Sequence, residues 1–318
     1  MTTTDQPLPH LLIANPFHAD TVAILDSQYQ THKLWMLDSP LEQQALIERL
    51  SPVCRAVATA SWATNPLIYQ LPNLQVISCF GVGTDGIDFA TTRARSIAVT
   101  NTPKVLDDAV ADLAMGLVLA TSRNLINADR YVRDARWLQA PFPFAHSLAG
   151  KTLGIIGLGA IGKEIANRAQ PFKMKIAYHN RHPAHLPYYY CDSIEALAQT
   201  SDILLSMLPG GAATEKLIGT AVFRALGPRG IFINVGRGSS VDEAALVSAL
   251  QDGLIAGAGL DVYAREPHVP EALLGMSNVV LFPHIGSATV ETRGAMGQLV
   301  VDNLAAYFQG RPLLTPCG

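Results

Sequence analysis

The chain has 318 residues, enough for about two domains. With 49% hydrophobic and 15% charged residues it reads as a globular α/β protein with ample core. A net charge of −3 and the lack of any Lys/Arg-rich segment exclude a field for nucleic acid, and the apolar run at 113–120, behind Asp112, is too short to span a membrane. From the N-terminus, short apolar runs at 11–14, 34–37, 56–60 and 76–80 alternate with helical patterns such as 41–50. Turn signals fall at Asn65-Pro66 and Leu71-Pro-Asn73. The alternation predicts βα units and a smaller parallel sheet. Asn101-Thr-Pro103 ends this part, and a long helical region follows over 105–137. From Thr152 the alternation resumes, with strands at 152–157, 175–179, 203–207, 230–235, 257–262 and 279–282. Helices are predicted at 160–170, 193–199 and 243–252, the last N-capped by Asp242 and followed by Gly253. A final helix over 290–307 is long enough to return to the first domain.

The organising stretch is 152–165. A continuous apolar run, Leu153 to Ile156, reads as a buried strand of a parallel sheet. It ends in Gly157-x-Gly159-x-x-Gly162 and passes into a helical pattern in which Ile161, Ile165 and Ala169 are stacked four apart. The first glycine permits the tight turn, the second lets a pyrophosphate approach the backbone, and the third lets helix pack on strand. The helix N-terminus adds free N–H groups and a positive dipole end. The expected fold class is therefore α/β, with two doubly wound parallel-sheet domains. The larger is a Rossmann dinucleotide-binding domain, 102–287, inserted into a smaller flavodoxin-like substrate domain made of 1–101 and 288–318.

Ligands of an open α/β sheet bind beyond the carboxyl ends of its strands. Arg237 between two glycines, Glu266 in Arg265-Glu-Pro267, and His284 in Pro283-His-Ile-Gly286 all fall there. Reducing a 2-oxo acid requires a hydride donor, a carboxylate clamp and an acid for the new alkoxide. The planar fork of Arg237 suits the clamp, and the glycines beside it would let backbone approach a ligand. His284 suits the acid, and Glu266 would hold its far ring nitrogen. Singly, each has a bland reading: a solvated loop cation, a partner for Arg265, a strand-end histidine.

Several motifs carry a family resemblance over about 11–316. They are Gly81-Val-Gly83-Thr-Asp85, Asn101-Thr-Pro103, Val110-Ala-Asp112-Leu-Ala and the glycine loop, then Asn234-Val-Gly-Arg-Gly238, Gly259-Leu-Asp-Val262, Arg265-Glu-Pro267 and Pro283-His-Ile-Gly286. Through them the chain resembles the D-isomer-specific 2-hydroxyacid dehydrogenases, most of all their NADPH-dependent glyoxylate/hydroxypyruvate and hydroxyphenylpyruvate reductase branch. The resemblance implies that Arg237, Glu266 and His284 are catalytic, that Asp261 holds the nicotinamide carboxamide, and that the backbone of Val82 and Gly83 binds the substrate carboxylate. The implied cofactor set is Gly157, Gly159, Ala160, Ile161, Gly162, Asn180, Arg181, His182, Leu208, Pro209, Val235, Asp261 and Gly286. A buried Asp261 would also be satisfied by a structural N–H. Leu106 lies where the family packs an apolar side chain near the nicotinamide, and core packing explains it equally well. Trp62 and Trp137 are offered as substrate-side aromatics, Trp137 toward a neighbouring subunit's site, with core packing as the alternative for both.

An NAD site usually carries an acid after the second strand. None stands between Lys173 and Tyr190; Asn180, Arg181 and His182 occupy the place instead, so NADPH is expected over NADH, with NADH still possible. The expected reaction is reduction of small 2-oxo acids such as glyoxylate and hydroxypyruvate. The alternatives are a hydroxyphenylpyruvate or 2-ketogluconate type of reductase, or a dinucleotide-sensing regulatory protein. A formate dehydrogenase would carry Gln at Glu266. Apolar residues on 105–137 (Leu113, Met115, Leu117, Val118, Leu119, Leu125) predict a homodimer, unless the helix is buried within its own chain. Cys54, Cys79, Cys191 and Cys317 are too scattered for a metal or redox motif and read as reduced thiols. The N-terminus lacks a signal-peptide pattern, so a soluble, cytoplasmic protein without metal, membrane or nucleic-acid partner is expected.

Overall fold

The computed structural model describes residues 7–60 and 64–318. They group into two compact units, one made of the chain up to Leu106 together with Ala288–Gly318, the other of Asp107–Ser287. The first break thus falls five residues later than the 101/102 boundary expected from Asn101-Thr-Pro103.

In the first unit, β1 (His10–Ile13), α1 (Ala19–Gln28), β2 (Gln30–Lys33), α2 (Pro40–Leu50), β3 (Ala56–Ala60), β4 (Val76–Phe80), α3 (Phe89–Ala94) and β5 (Ala98–Thr100) follow one another. All pairs are parallel and the order is β2-β1-β3-β4-β5, the flavodoxin-like arrangement. The apolar run at 34–37 is not a strand: Leu34–Met36 form a 3-10 turn, and β2 is the polar edge segment just before it. An edge strand that is only partly covered lacks the apolar signature of a buried one.

The second unit opens with α4 (Asp107–Ser122) and α5 (Leu125–Arg133), bent by 61°. The long helix expected over 105–137 is therefore broken. Asn124 adopts φ 53°, the left-handed conformation that asparagine tolerates better than most residues. Along α4, Met115, Leu117 and Val118 are buried in this unit's own core, and Leu113 and Leu119 are half-buried. Of the residues expected to form an exposed apolar face, Leu125 alone is exposed. Where α4 packs along α6 (Ala160–Ala169), Arg168 reaches Asp112 at 2.5 Å, Asp108 at 2.6 Å and Glu164 at 2.8 Å.

The strands β6 (Thr152–Ile156), β7 (Lys175–His179), β8 (Tyr189–Tyr190), β9 (Ile203–Ser206), β10 (Ile231–Asn234), β11 (Gly257–Leu260) and β12 (Val279–Leu281) make one parallel sheet. Its order, β12-β11-β10-β9-β6-β7-β8, is the Rossmann order with a strand added beyond β11. Seven strands replace the six expected, because β8 is a two-residue strand too short to show a period. The helices are α7 (Ile194–Thr200), α8 (Thr220–Leu226), α9 (Glu243–Gln251) and α10 (Glu271–Leu274). Asp242 does N-cap α9, accepting from the Ala245 amide at 3.2 Å, and Gly253 lies past its end at φ 67°. The last helix, α11 (Val290–Phe308), packs on β4 and α1 of the first unit.

Candidate active site

The chain reverses direction of winding between β6 and β9, which are neighbours in the sheet although β7 and β8 separate them in sequence. In such sheets the carboxyl ends at this switch point are the ligand-binding edge. Because all strands are parallel, Gly157, Leu208, Val235, Asp261 and Phe282 leave the sheet at that one edge.

The three loop glycines divide their work as the motif requires. Gly157 sits at φ 96°, and a Cβ on Gly162 would meet the Gly157 carbonyl oxygen at 2.5 Å. Around Gly159 a Cβ would meet nothing within 4 Å, so space remains there for a phosphate. No side chain caps α6, whose first N–H groups, from Ala160 onward, face that space. An uncapped helix start beside open backbone fits a dinucleotide pyrophosphate. Ile161 packs partly on the core, and the Val235 side chain is wholly core, so Val235 has only backbone to offer a ligand. Leu208 is half-buried and Pro209 exposed after β9. Asn180 is already engaged: its Oδ1 accepts the Leu158 amide at 2.7 Å, tying β7 to the glycine loop. Arg181 and His182 are exposed beyond it.

The catalytic candidates are built by turns after β10, β11 and β12. Asn234, buried at the end of β10, shapes the first turn. Its Oδ1 accepts from the Gly236 amide and its Nδ2 donates to the Arg237 carbonyl, both at 3.1 Å. The glycines beside Arg237 do not clear space for a ligand. A Cβ on Gly236 would meet the Leu208 carbonyl oxygen at 2.6 Å, and one on Gly238 would meet the Tyr263 carbonyl carbon at 1.9 Å. They let three neighbouring turns press together, which fixes Arg237 relative to Glu266.

Glu266 is gripped at both oxygens. Oε1 accepts the Tyr263 amide at 3.0 Å and Oε2 meets His284 Nδ1 at 2.6 Å. Burial works to raise its pKa, but the His284 hydrogen bond and charge, the Tyr263 amide and the Arg237 guanidinium together hold it below the ordinary glutamate value. An apolar cavity of about 400 Å³, walled by Tyr263, Pro267, Val269 and Phe282, flanks this pair. Tyr263 was not singled out from sequence, and Asn234 was named only as part of a motif, with no role of its own. The signal for Asn234 was a polar residue closing an apolar run; for Tyr263 there was none, since its hydroxyl finds the Phe282 carbonyl only across the fold, at 2.9 Å.

Asp261 is 1% exposed, and its partners are structural. Its carbonyl accepts the His284 amide, Oδ1 the Ile285 amide and Oδ2 the Gly286 amide, all at 2.8 Å. Three consecutive amides thus hang from one residue, and they hold His284 at φ 53°. Burial still raises the Asp261 pKa, though the amides and the His284 charge pull the other way. Gly286 makes the grip possible, because a Cβ there would lie 3.2 Å from Oδ2.

In the first unit, the Val82 carbonyl accepts from Asn101 Nδ2 at 2.8 Å, and neither the Val82 nor the Gly83 amide makes a hydrogen bond among the described residues. Leu106 is buried. Trp62 lies outside the described residues. Trp137 is no core aromatic: it is 67% exposed on the 3-10 turn Arg136–Leu138.

A glycine turn at the switch point, with an arginine, a glutamate and a histidine at the same edge, defines a dinucleotide-dependent enzyme of the hydride-transfer class. The sequence pattern of the D-isomer specific 2-hydroxyacid dehydrogenase NAD binding domain matches residues 115–286. The chain is 46% identical over 295 residues to glyoxylate/hydroxypyruvate reductase A of Arabidopsis thaliana, covering 92% of this chain and 93% of that one. It is 45% identical over 294 residues to hydroxyphenylpyruvate reductase of Plectranthus scutellarioides, covering 92% and 93%. The NADPH-dependent glyoxylate/hydroxypyruvate reductase of Sinorhizobium meliloti, solved with NADP and malonate, matches at a TM-score of 0.91 and 44% identity, covering 98% and 97%. The chain belongs to the D-isomer specific 2-hydroxyacid dehydrogenase family.

Proposed function

We propose that the protein reduces small 2-oxo acids, of the glyoxylate and hydroxypyruvate class, to D-2-hydroxy acids with NADPH. The observation that carries this is the 2.6 Å contact of His284 with Glu266 at the same sheet edge as the glycine loop. Gly157, Gly159 and Gly162 with the start of α6 would hold the pyrophosphate, and the bound nicotinamide supplies the hydride. Arg237 pairs with the substrate carboxylate and polarises its carbonyl. His284 gives a proton to the oxygen as the alcohol forms, and Glu266 keeps the imidazole in the tautomer that can do so. Asp261 serves by holding the His284 turn, and its carboxylate lies beside the amides where a carboxamide would be received. The NADPH preference rests on Arg181 and His182 and on the absence of any acid between Lys173 and Tyr190.

A homodimer completes the proposal. The exposed apolar side chains lie not on α4 but on the segment after it, where Leu138 is 90% exposed and Phe144 fully so. A run of that kind on the surface marks an interface. Four free thiols support a reducing, cytoplasmic setting. Turnover of glyoxylate, hydroxypyruvate and bulkier 2-oxo acids with NADPH and NADH tests the reading. Tight dinucleotide binding with no turnover of any 2-oxo acid would replace it with a sensor.

A further inference from the structure

The span that carries Arg181 is tied down by side chains that take no part in the chemistry. Tyr178, in β7, is 2% exposed, and its ring meets that of Tyr190 in β8 edge-on with centroids 5.4 Å apart. The two are register partners across the β7–β8 pairing, so the two-residue strand β8 is what sets Tyr190 beside Tyr178. The Tyr178 hydroxyl accepts the Ala184 amide at 2.9 Å, midway along the connection between the strands. Tyr190 donates to the Asn180 carbonyl at 3.3 Å, and Asn180 in turn holds Leu158 of the glycine loop at 2.7 Å. His185 sits at φ 50°, a conformation that a residue with a side chain keeps only where its surroundings fix it. The turn from Arg181 to His185 is therefore pinned at its base, at its far side, and to the turn that receives the pyrophosphate. Arg181 and His182 make no hydrogen bond among the described residues, so nothing but the backbone places them.

We propose that Tyr178 is a specificity-determining positioning residue for the 2′-phosphate of NADPH, acting through Ala184 on the turn that presents Arg181. The proposal rests on the reading of Arg181 as the phosphate's ligand. A guanidinium gains its paired contact with phosphate in full only when its backbone is already ordered; a loose turn gives up part of that gain to ordering. NADH brings only a neutral 2′-hydroxyl here, with which Arg181 forms no ion pair, so its binding depends far less on how the turn is held. Discrimination between the cofactors is thus set by the hydroxyl of a buried tyrosine as well as by the cation itself.

The test is a set of cofactor affinities and KM values for NADPH and NADH, with melting curves, for the wild type, Y178F, Y190F, R181A and the Y178F/R181A double variant. Phenylalanine keeps the ring packing and removes only the hydroxyl. Y178F is expected to weaken NADPH about two- to tenfold, the size of one net hydrogen bond, with kcat and NADH binding unchanged. Y190F is expected to show the same selective loss. R181A is expected to weaken NADPH by about ten- to a hundredfold, and adding Y178F to it should cost nothing further. Equal losses for NADPH and NADH in Y178F, or an unchanged NADPH affinity, or strictly additive losses in the double variant, would each overturn the proposal. NADH turnover on the same samples reports whether the variants fold. If R181A itself leaves NADPH untouched, the reading of Arg181 fails, and the proposal falls with it for that separate reason.

Discussion

With Nδ1 of His284 on Glu266, the other ring nitrogen is the one left to meet a substrate in the proposed reaction. His284→Ala is expected to lower kcat by about 10²- to 10⁴-fold while NADPH affinity stays near wild type; a wild-type kcat would remove His284 from the chemistry. Glu266→Gln keeps the shape but puts an amide against the ring, so His284 is no longer held in one orientation and kcat is expected to fall; an unchanged kcat would remove Glu266 from that role. The same pair bears on stability. A glutamate held below its ordinary value of 4.5 contributes its stabilisation fully above that value and loses it as pH falls through the lower folded one. The melting-temperature gap between wild type and Glu266→Gln should thus be widest near neutrality and close in acid; a gap that widened on acidification would contradict the assignment. Asp261→Asn turns an oxygen facing a loop amide into a donor facing a donor. About 1–3 kcal/mol of stability should be lost, with kcat falling as the His284 turn slackens.

Turns between elements separate two kinds of glycine. Gly159 has open space where a Cβ would stand, while Gly238 lies against Tyr263 backbone at 1.9 Å. Gly159→Ala should leave the melting temperature unchanged and weaken the dinucleotide, since the methyl occupies the phosphate's approach. Gly238→Ala must displace the turn that supplies the Tyr263 amide to Glu266. A loss of about 1–3 kcal/mol or more is expected, roughly 3–10 °C in melting temperature, together with activity. Equal melting temperatures for the two variants would show that the β10 turn is not packed as described. The αL residue at Asn124 is a similar device at the helix level: it ends α4 where its core face ends and frees α5 to take another direction.

The exposed apolar segment from Leu125 to Phe144 is the feature that a lone 34.0 kDa chain does not account for. Light scattering at assay concentration should give about twice that mass. Leu138→Asp should shift the particle toward 34.0 kDa, because a charge at a buried interface costs several kcal/mol unless paired. A wild-type particle of 34.0 kDa would leave that apolar surface without a partner of its own kind.

The class of fold, the place of the glycine loop and the three catalytic candidates were legible in the chain itself, because their signals are local. Parallel strands buried on both faces are continuous apolar runs, and a turn that needs φ 96° or an open phosphate approach asks for glycine at Gly157 and Gly159. Strand ends then mark the edge where Arg237, Glu266 and His284 must emerge, since every strand in the sheet points the same way. What only the tertiary structure decided was which groups satisfy one another across it. Asp261 ends its strand in need of partners, and only the folded backbone brings it the Ile285 and Gly286 amides, more than twenty residues away. Gly236 and Gly238 looked like openings toward substrate and are instead close-packed against neighbouring turns. Met115, Leu117 and Val118 looked like interface and are core. Periodicity tells which face of an element is apolar, but not whether that face meets its own chain or another. A buried polar group declares that it needs a partner, and only the folded backbone says which one it finds.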